Sequence, residues 1–192
     1  MDNDHLVLLS GAVCAGKTSV AGLLEAGNGF SRVSTSRHLK EIAVQRGISI
    51  NRVAMQDLGD QQDVETDFTW PVIASQAQMI EKPSARWLLD AVRKRRQVHH
   101  FRERIHGTIL HVHLWAPEAI LRARYQVRQD AGDEYGDASS YDEFVQRPNE
   151  VESRSLIEIA DLCFDTSTVS SAVVVEQVID HLFGSTACDK SS

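Results

Sequence analysis

The stretch HLVLLSGAVCAGKTS, residues 5–19, constrains this chain more than any other. A short apolar run leads into Gly11, Gly16, Lys17 and Thr18, which hold the fixed positions of the spacing G-x-x-x-x-G-K-S/T. Residues 6–9, LVLL, read as a buried strand, and Lys17 to about Ala26 as a helix. A glycine-rich turn between the two lets successive backbone N–H groups point at one anion, and the helix adds the positive end of its dipole. Gly11, Ala12, Val13, Cys14, Ala15, Gly16, Lys17, Thr18 and Ser19 are therefore expected to cradle the phosphates of a nucleoside triphosphate. Lys17 would reach the β- and γ-phosphates, and Thr18 would put its hydroxyl on Mg²⁺. Cys14, near a helix N-terminus that lowers thiol pKa values, is either a reactive thiol or a small residue that fits the turn.

Beyond the loop the period switches repeatedly between strand and helix. Strands are expected at 30–35, 85–90, 108–115 and 161–166. Helices are expected at 36–47, closed by Gly47, then at 49–62 and 66–82. A basic helix follows Asp90, another starts with Pro117 just inside it and runs to about Arg128, and two more cover 149–160 and 171–183. Residues 129–140 are acidic, glycine-bearing and unpatterned, which suggests a mobile loop. Alternating strands and helices imply an α/β domain with a parallel sheet covered on both faces, because parallel strands need crossovers. Ligands of such sheets sit at the carboxyl ends of the strands. The glycine loop, Ser34–Thr35 and Asp90 end the first three strands and so converge on one edge.

With Asp90 and the arginines included, the chain resembles nucleoside monophosphate kinases of the P-loop superfamily. STSRHLKEIA resembles their second-strand segment, which implies that Thr35 and Lys40 hold an acceptor monophosphate. WLLDAVRKRRQ resembles their aspartate-glycine-x-arginine segment, which implies Asp90 on Mg²⁺, Arg93 on acceptor phosphate and Gln97 on the acceptor base. HVHLWAPEAILRARYQVR is similar to their fourth strand and lid-opening helix, and implies Arg124 and Arg128 on the transferring phosphate. YDEFVQRPNEVES and IADLCFDTS resemble the end of the dephospho-coenzyme A kinase and archaeal adenylate kinase-like branch. The resemblance runs from residue 5 to about 183 and implies ATP as the default donor. It implies a three-layer P-loop NTPase fold with five parallel strands in one domain over 1–184, a nucleotide-binding flap near 36–82, a lid near 128–146 and a flexible tail at 185–192. Three departures stand out: Ala91 replaces the glycine after Asp90, Lys40 replaces an arginine, and Pro148 follows Arg147 where an aspartate is usual.

Phosphoryl transfer needs positioned positive charge rather than a protein nucleophile, so a set of basic residues suffices. Arg124 and Arg128 are four apart and share a helix face; they either act on phosphate or pair with Asp130 or Glu134. Arg95 and Arg96 read as a solvated face, as do His99 and His100. His111 and His113 share a strand face without a third metal ligand at suitable spacing, and read as core histidines. Gln56 or Asp60 lies near the acceptor or on an acidic flap face, and Trp70 either stacks on a base or anchors the flap. The net charge of −7 argues against bulk nucleic-acid or membrane-surface binding, leaving small-molecule nucleotides as expected partners. Three scattered cysteines imply no disulfide framework and fit a reducing cytoplasm. Other readings stay open: a kinase of another small molecule such as dephospho-coenzyme A, a non-catalytic nucleotide-binding module, and a nucleic-acid end kinase.

Overall fold

A computed structural model describes residues 4–82, 84–131 and 140–184. Five strands, β1 (His5–Gly11), β2 (Ser31–Val33), β3 (Arg86–Asp90), β4 (Thr108–Trp115) and β5 (Leu162–Asp165), form one parallel sheet in the order β2-β3-β1-β4-β5. The α/β class and five parallel strands are as expected. Because side chains alternate along a strand, β1 feeds two cores: Val7 and Leu9 enter one, and Leu6 and Leu8 the other.

On the first face lie α1 (Lys17–Asn28), α6 (Glu118–Asp130), α7 (Tyr141–Val145) and α9 (Ser171–Phe183), which bury Val20, Ala21 and Leu24, Leu121 and Tyr125, Tyr141 and Phe144, and Val174, Val175 and Val178. The second face is covered by α4 (Trp70–Glu81), α5 (Arg95–Arg104) and the 3-10 turn Leu156–Ile159, through Val72, Val98, Phe101 and Leu156. Helix α8 (Pro148–Ser155) runs against β1 and into that turn. Between β2 and β3, helices α2 (Thr35–Arg46), α3 (Arg52–Glu65) and α4 span the residues read from the sequence as a flap and enclose a small core of their own, Leu39, Ala43, Leu58 and Trp70.

Several boundaries differ from expectation for local reasons. Strand β2 is only three residues long, and Ser34 caps α2 instead of extending the strand. Pro117 is the cap residue of α6, its carbonyl receiving Ile120 and Leu121 N–H, so the helix starts one residue after it. The segment 149–160 is an α-helix only to Ser155 and then tightens into a 3-10 turn. Helix α7 was not anticipated; a reciprocal Ser140–Glu143 capping box starts it, and Tyr141 and Phe144 pack on Tyr125 at ring distances of 5.4 and 5.7 Å. That packing ties the last part of the expected lid to the core. The expected mobile loop and the expected tail fall largely on 132–139 and 185–192, outside the described residues.

Candidate functional site

The loop after β1 is shaped by two glycines and a close approach. Gly11 has φ 133°, and a Cβ there would stand 2.0 Å from the Leu114 carbonyl oxygen, so only glycine lets β1 leave the sheet beside β4. Gly16 is left-handed at φ 95° and caps α1. Cys14 is also left-handed at φ 61°, and Ala15 N–H returns to Ala12 O at 3.2 Å. The Lys17 ammonium donates to Gly11 O and Ala12 O, both at 2.7 Å. Burial lowers it from its ordinary value to about 8, while Glu150 and Asp90 pull the other way. Thr18 and Ser19 are exposed at the start of α1. Cys14 is buried, and burial pushes its thiol up, because desolvation outweighs the cations Arg128, Lys17 and Arg124 around it; of the two readings this favours the small residue that fits the turn.

Two recesses flank the loop. One is an open groove of about 560 Å³ bounded by Cys14, Gly16, Ser19, Arg124, Arg128 and Thr166. Arg124 donates to Cys14 O at 3.3 Å, Thr166 Oγ1 at 2.9 Å and Thr166 O at 2.7 Å. It thus clamps the glycine loop to the end of β5; the alternative partner, Asp130, is instead held by Gln126. Glu134 lies outside the described residues.

The other recess, a cavity of about 280 Å³, lies between the strand ends and the flap and is bordered by Thr35, Gln56, Asp60, Trp70, Arg93 and Gln97. Arg93 is exposed there, with no ion pair or side-chain hydrogen bond to any described residue. Gln97 is buried; its carbonyl accepts from Arg93 N–H at 3.2 Å and its amide donates to Asp63 at 2.9 Å. Asp63, 3% exposed, also accepts from Trp70 Nε1 at 2.7 Å. Lys94 lies 3.2 Å from Asp60 and 3.4 Å from Asp63; burial alone would lower its ammonium, but Asp60 and Asp63 more than offset this and raise it. Trp70 is both the flap's core anchor and a wall of the cavity.

Lys40 does not reach this cavity. It sits on the outer face of α2 beside Arg37 and Glu41, because five residues on from Thr35 a helix has turned well past the face that carries Thr35 and Leu39. His100 is also corrected: it is buried and bonds the Asp67 carbonyl at 2.8 Å, whereas His99 is exposed. Arg95 and Arg96 make surface ion pairs with Glu158 and Asp67. His111 and His113 both contact Ser10 Oγ, at 2.7 and 2.9 Å, inside the sheet, and burial lowers both imidazoles to about 4.

Asp90 ends β3 beside the loop, with Arg32 at 3.6 Å. Among the described residues no group of three or more His, Cys, Asp or Glu could hold a metal ion. Thr18 and Asp90 would supply at most two oxygen ligands, so a magnesium ion held there would need phosphates and water for the rest. Sequence reasoning missed Glu150 and Asn149 of α8. Glu150 accepts from Val13 N–H at 2.8 Å, and Asn149 donates to both Asp60 oxygens at 3.0 and 3.2 Å. No motif in the sequence links α8 to the loop.

Residues 6–147, more than half of the chain, match the family model described as an AAA domain. The chain belongs to this family. No curated protein matches it by sequence. Among solved structures it is similar to the tunicamycin resistance protein of Deinococcus radiodurans (TM-score 0.61, 18% identity, 94% of this chain and 96% of that one). It is also similar to the APS kinase of Mycobacterium tuberculosis solved with AMPPNP and APS (0.54, 16%, 96% and 100%) and to the shikimate kinase of Acinetobacter baumannii (0.53, 14%, 96% and 95%). These likenesses establish the fold of P-loop kinases for this AAA-domain chain.

Proposed function

We propose that the chain is a magnesium-dependent phosphotransferase that moves the γ-phosphate of ATP to a small anionic acceptor, with a nucleoside monophosphate as the first candidate. The observation that carries this is Arg93. It is a guanidinium without a hydrogen-bond or ion-pair partner among the described residues, on the rim of a half-open cavity, near a glycine loop with the phosphate-binding spacing. An unpaired arginine at such a place is a ready partner for a phosphate oxygen pair. Trp70 and the Gln97–Asp63 pair would meet a base, with Gln97 using its one remaining amide proton. Lys40 has no part in this acceptor site.

The donor would lie with its phosphates on the loop amides and its nucleoside in the groove beside Arg124 and Arg128. Bound magnesium would neutralise charge on the β- and γ-phosphates, with Thr18 and Asp90 holding it. An acceptor oxygen attacks the γ-phosphorus, the bond from that phosphorus to the β–γ bridging oxygen breaks, and the electron pair leaves on the nucleoside diphosphate. Lys17 would leave the Gly11 and Ala12 carbonyls to balance the charge spread over the γ-oxygens. Arg124 acts by positioning the loop, and Arg128 lies on the donor side.

A second reading is favoured by the carboxylates of Asp60 and Glu150 on the cavity wall: an acceptor hydroxyl, as in dephospho-coenzyme A. The shikimate and APS kinases with this fold were solved with shikimate and with APS, so both compounds belong in the acceptor panel. A coupled assay against each ribo- and deoxyribonucleoside monophosphate, dephospho-coenzyme A, shikimate and APS separates the readings. One active monophosphate is expected. Turnover with a hydroxyl acceptor alone selects the second reading. ATP binding with no turnover across the panel rejects both and leaves a non-catalytic nucleotide-binding module.

A further inference from the structure

Among the described residues, the carboxylates that border the flap cavity are Asp60, Asp63 and Glu150. Two of them are fully occupied. Asp60 takes Lys94 and Asn149 on Oδ1 and Asn149 again on Oδ2. Asp63 takes Trp70 Nε1 and Gln97 Nε2 on Oδ1, with Lys94 3.4 Å from Oδ2. Glu150 differs. Its Oε1 accepts from Val13 N–H at 2.8 Å and from Arg154 Nε at 3.1 Å, whereas Oε2 has no hydrogen bond to any described residue. Arg154 is itself held by Glu118 at 2.8 Å and by the Tyr141 hydroxyl at 3.2 Å. Ser153 Oγ donates to Gly11 O at 3.1 Å, a second bond that fixes α8 to the loop. The carboxylate is therefore braced, only 10% exposed at its side chain, and left with one unused oxygen.

Its place matters as much as its bonds. Glu150 stands on the cavity side of the loop, while the groove on the other side is bounded by Cys14, Gly16, Ser19 and Arg128. Of the carboxylates near the Lys17 ammonium, which burial lowers to about 8, Glu150 pulls on it most. Lys17 is the cation that would face the γ-phosphate, so this carboxylate is close to where an acceptor atom would meet that phosphate. Such a group suits one kind of attacking atom. An acceptor phosphate is already ionised, has no proton to give, and is repelled by a second anion in a partly buried site. A hydroxyl must lose a proton as its oxygen bonds to phosphorus, and a positioned carboxylate can take it. Neither of the other strand ends supplies a rival: Ser34 and Thr35 after β2 carry no carboxylate, and Asp90 after β3 does not border the cavity.

We propose that Glu150 is the base for an acceptor hydroxyl, and that the acceptor is a small hydroxy compound whose anionic group sits on Arg93. This rests on the phosphotransferase reading above and takes its second, hydroxyl form. A nucleoside monophosphate still qualifies, through a ribose hydroxyl instead of its phosphate. The hydroxyl proton moves to Glu150 Oε2 as the acceptor oxygen bonds to the γ-phosphorus. The bond from that phosphorus to the β–γ bridging oxygen breaks, and its electron pair leaves on the nucleoside diphosphate. Glu150 then gives the proton to solvent. The product is a phosphate monoester, not an anhydride.

The test runs the acceptor panel with Mg-ATP on the full chain, as wild type, Glu150→Gln and Glu150→Asp, with thermal melts to verify folding. Phosphorus NMR of the wild-type product should show a monoester. Glu150→Gln keeps an oxygen for Val13 N–H but takes up no proton, so kcat should fall by at least about 100-fold while Mg-ATP affinity by calorimetry is unchanged. Should that variant fail to fold, Glu150→Asp keeps the charge beside Arg154 but draws the carboxylate back by one methylene, and should lose at least about 10-fold in kcat. An anhydride product overturns the proposal and leaves the phosphotransferase reading standing. A smaller loss of kcat does the same. So does a loss of kcat matched by a loss of ATP affinity, which would mean that Glu150 only holds the loop in shape. No turnover of any acceptor rejects the phosphotransferase reading, and this proposal with it.

Discussion

The loop between β1 and α1 and the flap of α2–α4 face each other across the same sheet edge but are built by opposite means. The loop presents backbone. Its geometry comes from φ 133° at Gly11, φ 95° at Gly16 and a carbonyl neighbour that leaves no room for a Cβ. It sits on the larger core, with Ala12, Val13, Cys14 and Ala15 all buried in it. The flap presents side chains. Its inner wall is a network of Asp63, Trp70, Gln97, Lys94 and Asp60, drawn from α3, α4 and the segment after β3, over a core of four buried residues. A backbone cradle recognises what all nucleotides share, whereas a side-chain wall can be rebuilt for a new acceptor without disturbing the sheet. That difference suits a fold whose members take chemically unlike acceptors.

The largest expected effect breaks chemistry on the loop side and spares its fold. Lys17→Ala should lower turnover by about 10²–10³-fold, the loss typical of one preorganised donor at developing charge. Its melting temperature at pH 7 should hold or rise. Burial lowers the Lys17 ammonium from 10.5 to about 8, so between those values the unfolded chain binds more proton than the folded one. Stability from this group therefore increases as pH rises from about 8 towards 10.5, and below 8 its full penalty applies. The variant should lack that rise in a melting series from pH 7 to 10. A Lys17→Ala chain that melts well below wild type at pH 7 would mean the loop depends on its side chains as the flap does.

The same contrast explains what could be seen in the sequence. The loop is contiguous, and its glycines are demanded by backbone shape, so the spacing alone announced it. Strand and helix alternation also announced an α/β parallel sheet. The order β2-β3-β1-β4-β5 could not be read from periodicity, because neighbours in the sheet are distant in the chain. Helix α7, five residues long, is too short to display a helical period, and only its capping box could have flagged it. Lys40 was placed by analogy of type, yet helical phase turns it outward. Glu150 meets Val13 across 137 positions, and Asn149 meets Asp60 across 89, with no local pattern to mark either pair.

A smaller effect should appear on the flap side. Asp63→Ala removes the acceptor for Trp70 Nε1 and Gln97 Nε2 and one of the carboxylates around Lys94. Orphaning these buried donors should cost about 2–3 kcal/mol. Urea unfolding followed by Trp fluorescence would measure it. Nucleotide affinity by calorimetry should change little, because the loop does not share this network. A matching loss of nucleotide affinity would join the two regions energetically and dissolve the distinction between them.

The smallest effect sharpens the comparison at the point where the two regions meet. Arg93 follows β3, near the loop, but opens into the flap cavity. If it belongs to the acceptor wall, Arg93→Ala should raise the acceptor KM by about 10-fold, the value of one charge-assisted contact at a partly exposed site, and leave the KM for ATP nearly unchanged. Arg93→Lys should recover part of the loss, because an ammonium keeps the charge but not the two-pronged geometry. Stability should change little, since the guanidinium makes no hydrogen bond or ion pair with the described residues that folding would lose. The opposite split, a raised KM for ATP with the acceptor unaffected, would assign Arg93 to the donor phosphates. The flap cavity would then have no free cation of its own among the described residues, and an uncharged acceptor hydroxyl would become the better fit for its carboxylate-lined wall.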